Sequence, residues 1–219
     1  TEPTRLLSFI MAVKNIIFDF DGVVADSLSH LVTIANGIGP EFGLPQLDAA
    51  RVRSTGLSGL IKCTKMPSLK IPFFARKLRQ GFQNATRQIG IHSGMGDTLR
   101  ELAGIFKLGI LTSNTAENVE DFLNRHGVAG LFTFHHYGCP LFAKDSAIGK
   151  LLARNNLDKD ETVYVGDEVR DIVAMKKARV PIIAVSWGYE GEELLKAQSP
   201  QYLATTPRHL YELACSLKA

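Results

Sequence analysis

The sequence predicts an α/β fold: a doubly wound parallel sheet whose first strand is followed by an inserted helical segment. Three observations carry this. The stretch "IIFDFDGVVADS" (16–27) opens with an apolar run suited to a strand buried on both faces. From residue 94 onward, short apolar runs alternate with amphipathic ones, the pattern of parallel strands joined by crossover helices. Between them, residues 26–93 show helical periodicity and no good strand pattern.

The first strand runs into acids at Asp19, Asp21 and Asp26. Burying a carboxylate is costly unless something pairs with it. Side chains alternate along a strand, so Asp19 and Asp21 are expected on one side, where their charges repel. A divalent cation would relieve that repulsion. Gly22 then supplies a tight turn, at the strand end where open α/β sheets bind ligands.

In the insert, "SLSHLVTIANGI" (27–38) reads as a helix with Asp26 or Ser27 as N-cap. "KIPFFARKLRQGFQNATRQI" (70–89) places Ile71, Phe74, Leu78, Phe82, Ala85 and Ile89 at steps of three and four, with Pro72 near the start. The expected organisation is a core of residues 13–25 and 94–219, an insert of 26–93 and an N-terminal extension of 1–12, in which Met11 is an alternative start. Downstream, helices are expected at 97–106, 116–127, 144–156, 169–178, 192–198 and 207–217. Strands are expected at 108–114, 131–138, 162–167 and 181–188, with a short one at 202–206.

A chain of 219 residues can bury a substantial core. Its net charge of +3 is too small to argue for a nucleic-acid partner. No apolar run approaches the length of a membrane span, and the apolar group in 1–12 is too short for a signal peptide. The cysteines Cys63, Cys139 and Cys215 are odd in number and far apart, which suits a reducing cytoplasm. Charge is unevenly shared: residues 26–93 hold nine Lys/Arg against three acids, about +6, leaving about −3 for the rest. A basic module beside a carboxylate-lined core suits an anionic substrate held with a metal.

More polar residues punctuate the strand ends. Ser113 and Asn114 offer a hydroxyl, an amide and backbone N–H groups where a helix begins, a cradle for an anion. Lys144 opens a helix, where a cation opposes the dipole and so is not placed for helix stability. "VGDEVRD" ends an apolar strand in Asp167, followed by Asp171, as expected for ligands to a hard cation. The trio His135, His136 and Cys139 fits no zinc spacing.

The order Asp-x-Asp-Gly, Ser-Asn, Lys, Gly-Asp-x-x-x-Asp resembles the haloacid dehalogenase-like superfamily. The likeness is to its phosphoglycolate-phosphatase-like branch, with a Rossmann-like core and a helical cap after the first motif. "FDFDGVVADS" (18–27) and "YVGDEVRDIVAMKKA" (164–178) carry the resemblance most specifically. One departure is Asp145 after Lys144, where the family often has Pro. The resemblance implies a phosphatase for a small phosphorylated metabolite. Asp19 would be the nucleophile that forms an aspartyl-phosphate, and Asp21 the general acid and then base. Mg²⁺ would be held by Asp19, the Asp21 carbonyl and Asp167, with Asp171 in support. Ser113, Asn114 and Lys144 would stabilise charge on the transferring oxygens.

Asp21 argues against carbon–halogen cleavage, which needs no acid for its leaving group, and against the phosphonate-cleaving relatives, which usually depart from Asp-x-Asp. A sugar-phosphate mutase shares all four motifs and stays open. Alternatives from another class are a receiver-like phospho-binding domain and a non-catalytic descendant of the fold. "RVRSTGLSG" (51–59) is expected to join two helices of the cap and to reach toward the leaving group with Arg51, Arg53 and Thr55.

Overall fold

The structure, a computed structural model, describes residues 12–63, 66–140 and 143–218. Most of the 1–12 extension and Lys65 therefore lie outside the described residues. The chain opens with β1 (Asn15–Phe18) and the short β2 (Ala25–Asp26). Three helices follow, α1 (Leu28–Ile38), α2 (Ala49–Cys63) and α3 (Ile71–Ala85), and then β3 (Gly90–Ile91). Next come α4 (Met95–Ala103), β4 (Lys107–Leu111), α5 (Ala116–Arg125), β5 (Phe132–His136) and α6 (Lys144–Arg154). The chain closes with β6 (Thr162–Gly166), α7 (Val169–Ala178), β7 (Ile182–Val185), α8 (Glu192–Ala197), β8 (Tyr202–Ala204) and α9 (Pro207–Ser216).

Six strands form one sheet in the order β5-β4-β1-β6-β7-β8, and every pair in it is parallel. The chain builds outward from β1 through β4 to β5, then crosses back and continues on the other side through β6. That reversal beside β1 opens a crevice at the carboxyl ends of β4, β1 and β6. Alternation along β1 divides the core. Ile16 and Phe18 pack with Met95, Leu99 and Phe122 on one face, and Ile17 packs with Ile148, Leu151 and Met175 on the other.

The helical segment between β2 and β3 has an apolar cluster of its own, built on Leu31, Val52, Leu60, Phe74 and Leu78. Tyr189, from the loop after β7, joins this cluster. Two details depart from the sequence reading. The entry and exit of the insert pair as an antiparallel ribbon, Ala25 opposite Ile91 and Asp26 opposite Gly90. Two-residue strands are too short to show alternation. Residues 51–59 do join two helical stretches through a glycine bend, as expected, but the junction is a kink rather than an open loop. They lie within α2, which is kinked at Gly56 with φ 68° and ψ 157°. A Cβ at that position would lie 2.1 Å from Glu190 Oε1, so only glycine fits the kink.

Candidate active site

The strand ends place their polar residues around one crevice. Asp19 follows β1 directly, and its backbone N–H donates to the Val165 carbonyl at 2.8 Å, which continues the pairing with β6. Its carboxylate is buried, accepting the Phe20 N–H at Oδ1 (2.8 Å) and the Lys144 ammonium at Oδ2. Lys144, on the first turn of α6, also donates to Asp171 Oδ1 at 2.6 Å. This buried bridge explains why a cation sits where the helix dipole disfavours it. Asp145 pairs with Lys177, bracing α6 against α7.

Across the crevice, Asn114 Nδ2 donates to Asp21 Oδ2 at 3.0 Å. The other face of that amide is fixed, because Asn114 Oδ1 accepts from Thr115 N at 2.8 Å and Asn118 Nδ2 at 3.0 Å. Asp21 Oδ1 is buried and has no partner. Ser113 is half-buried and lines the same cleft.

Electrostatics follow from burial. Burial pushes the Asp19 carboxyl up to about 7, against the opposing pull of Lys144. Burial also raises Asp21, to about 6, with the Asn114 hydrogen bond pulling the other way. Asp167 is held well above the ordinary carboxylate range by burial and by the neighbouring Glu168. Burial alone would draw the Lys144 ammonium down, but Asp171 and Asp19 outweigh it and keep it charged.

These acids fit a hard divalent cation. Asp19, Asp167, Glu168 and Asp171 are all buried and can each offer an oxygen, all within 4.8 Å of one another. Asp167 Oδ1 and Asp171 Oδ2 are buried without a hydrogen-bond partner. Such orphaned acceptors in a cluster of like charge are what a bound cation would satisfy. Asp167 Oδ2 is positioned by the Tyr189 N–H at 2.6 Å. Gly22 gives it room: a Cβ there would lie 2.1 Å from the same oxygen. Glu168 is partly committed elsewhere, accepting from Arg170 Nε at 2.8 Å.

A family model described as haloacid dehalogenase-like hydrolase matches residues 16–185. The chain belongs to that family. Its relatives include a phosphoglycolate phosphatase of Synechococcus elongatus, 32% identical over 209 residues that span 94% of this chain and 99% of that protein. A second phosphoglycolate phosphatase, from Vibrio vulnificus, is 28% identical over 219 residues, covering 92% and 96%. Among solved structures, one described as a predicted phosphatase from Clostridium acetobutylicum shares the fold. Its TM-score is 0.80 at 18% identity, over 94% of this chain and 100% of that one.

In this hydrolase, as in the sequence reading, Asp19, Asp21, Ser113, Asn114, Lys144, Asp167 and Asp171 all converge on one crevice. The cap residues do not. The Arg53 guanidinium donates to the carbonyls of Ser186 (3.1 Å) and Trp187 (2.6 Å), and the Arg53 carbonyl accepts from Gly191 N at 2.8 Å. Arg53 thus fastens α2 to the loop after β7. Arg51 is exposed, with its backbone N–H donating to Asp48 Oδ1 at 2.7 Å, and Thr55 is half-buried; none of the three lines the cleft. The insert's wall of the cleft comes instead from Leu31 on α1 and from Ala75, Leu78, Arg79 and Phe82 on α3.

Sequence reasoning missed Glu168, because an acid after Asp167 at a helix start looks like an ordinary first-turn residue. Two further residues are tied in by contacts between distant segments, Trp187 and Tyr189. Trp187 Nε1 donates to the Val23 carbonyl at 3.1 Å, and the Tyr189 hydroxyl bonds Ser27 Oγ at 2.7 Å. Ser27 does precede α1 as its N-cap residue, but its hydroxyl makes that bond instead of capping the helix.

Proposed function

We propose that the protein is a Mg²⁺-dependent phosphatase that hydrolyses a small, acid-bearing phosphomonoester such as phosphoglycolate by way of a phosphoryl group on Asp19. The observation that carries the reading is Asp21. It follows Asp19 by two residues, is held by Asn114, and has a buried oxygen without a hydrogen-bond partner and a carboxyl raised to about 6, near a working neutral pH.

An Asp19 carboxylate oxygen attacks phosphorus, and the ester P–O bond breaks as the departing alkoxide takes the proton of Asp21. Asp21 then draws a proton from water, whose oxygen attacks phosphorus. The Asp19–phosphorus bond breaks, and inorganic phosphate leaves with both acids restored. Lys144 keeps Asp19 in place through the first step, and Ser113 and the neighbouring N–H groups receive charge on the phosphoryl oxygens. Asp19, the Asp21 carbonyl and Asp167 would hold Mg²⁺, with Asp171 beside them. The ion would offset repulsion between the nucleophile and the phosphate.

The named activity of the relatives and the basic charge of the insert support an acid-bearing substrate. Residues 26–93 are proposed to act as a cap that closes over the leaving group and excludes water. No helix among the described residues is long and apolar enough to cross a membrane. Cytoplasmic placement is proposed from the unpaired Cys139 and Cys215.

The test is turnover of a generic aryl phosphate with Mg²⁺, with excess chelator, and with Ca²⁺, together with acid-quench trapping of phosphoenzyme. Activity is expected with Mg²⁺, to vanish on chelation and to be poor with Ca²⁺, whose looser coordination misplaces the nucleophile. Full turnover in excess chelator would sink the reading.

A further inference from the structure

The cap wall of the cleft is almost entirely apolar. Leu31, Ala75, Leu78 and Phe82 offer a substrate no hydrogen-bond partner from their side chains. A sugar moiety, with several hydroxyls to satisfy, would lose its water there without replacement. Arg79 is the exception. It sits on α3 one turn after Ala75, is exposed, and lines the same cleft as Asp21, Ser113 and Asn114.

The state of the other cations makes Arg79 distinctive. Lys77, two residues earlier, is paired with Glu41, and Arg53 is spent on two core carbonyls. Arg170, from the core side, is paired with Glu168, and Lys144 with Asp19 and Asp171. Arg79 has no ion-pair partner among the described residues, and of the cap's described Lys and Arg residues it alone lines the cleft.

We propose that Arg79 is the specificity-determining residue of the cap and reads the carboxylate of a short phosphorylated acid while its phosphate sits at the strand ends. A guanidinium presents paired donors that match a carboxylate fork. The apolar side chains of Leu31, Ala75, Leu78 and Phe82 beside it favour a small acid over a sugar phosphate. This rests on the phosphatase reading above and adds to it the residue that chooses the substrate.

The experiment compares wild type, Arg79→Ala, Arg79→Lys and, as a control on the same helix, Arg76→Ala. Each is assayed with Mg²⁺ on phosphoglycolate and on a neutral aryl phosphate. For Arg79→Ala, kcat/KM on phosphoglycolate is expected to fall about 10- to 100-fold, mostly through KM, the size expected for one lost charged hydrogen-bond pair. The aryl phosphate should change less than about threefold, the same for every variant, within the scatter of a neutral surface substitution. Arg79→Lys should recover part of the loss, because it keeps the charge and loses the fork. Arg76→Ala should match wild type on both substrates. Equal losses on the two substrates, or no loss on phosphoglycolate, would overturn the assignment. So would a wild type that turns over the aryl phosphate but no short phosphorylated acid, which leaves the phosphatase reading standing. A wild type inactive on both would overturn both readings together.

Discussion

The acids at the strand ends and the bases of the helical insert are both charge clusters, yet they are built on opposite terms. Asp19, Lys144, Asp167 and Asp171 are buried and bonded within one network, or held apart as orphaned acceptors. The insert's cations are mostly exposed, and the two longest helices use theirs differently. In α2, Arg53 is consumed in fastening the helix to the loop after β7. In α3, Arg79 stays unpaired over the cleft. On the proposed reading, the buried, shared charge network serves chemistry common to all substrates, because every substrate brings the same phosphate. The unpaired cation on the insert's wall of the cleft serves discrimination, as proposed above.

The largest expected effect breaks the comparison on the core side. Asp19→Asn should cost about 10⁴-fold or more in kcat on every substrate and abolish phosphoenzyme, as loss of a nucleophile does. Asp21→Asn should cost about 10²- to 10⁴-fold on an alkyl phosphate, the usual share of general acid–base catalysis. An activated aryl phosphate needs little acid help. With it the variant should still be phosphorylated, and slow water attack should let phosphoenzyme accumulate. Identical loss of phosphorylation in the two variants, read by acid-quench trapping, would contradict their separate roles.

A second expectation concerns the acid cluster without metal. Asp19 titrates near 7 and Asp21 near 6, both raised by burial from 3.8, so the folded state holds these protons more tightly than the unfolded chain does. Stability therefore falls as pH rises through that window. The metal-free protein should lose thermal stability between about pH 4 and pH 7. Mg²⁺ should restore it at neutral pH by binding only the folded state. Asp167→Asn removes one of the crowded charges. It should raise the metal-free Tm at pH 8 by about 3–8 °C over wild type, the scale of one or two kcal/mol in a chain of this size. It should also lose most of the Mg²⁺ response. A flat Tm profile with no Mg²⁺ effect, in scanning calorimetry, would mean the cluster is not a cation site.

The smallest effect sharpens the contrast within the cap. Arg53→Ala removes two charged hydrogen bonds at a half-buried tie and should cost about 1–2 kcal/mol in stability, read by denaturant melts. Because the lost contact is to the core rather than to substrate, any drop in kcat/KM should be the same for acid-bearing and neutral substrates. A selective drop on acids would move the specificity role back to α2.

Each core residue of the site follows an apolar run that the sequence displays openly. Asp19, Ser113, Asn114 and Asp167 come just after strand segments, and Lys144 opens a helix, so local pattern placed them at one edge of one sheet. Parallel strands with crossover helices then leave few ways to arrange that edge. Cross-chain partners carry no such local mark. That Asn114 holds Asp21, that Tyr189 positions Asp167, and that Glu168 divides itself between the acid cluster and Arg170 depend on contacts formed only when distant segments meet.

The insert shows the same division more sharply. The helical period of α1 and α3 and the insert's positive charge are properties of composition and period, and the sequence by itself determined them. Which of its arginines faces the cleft was decided by tertiary structure alone. Arg53 and Arg79 are the same side chain on two helices, and no local rule separates them. The kink at Gly56 against Glu190 and the carbonyls of Ser186 and Trp187 draw the first onto the loop after β7. The apolar face of Ala75, Leu78 and Phe82 carries the second over the strand ends. A side chain's charge is written in the chain, but its partner is set by whichever surface folding brings within reach.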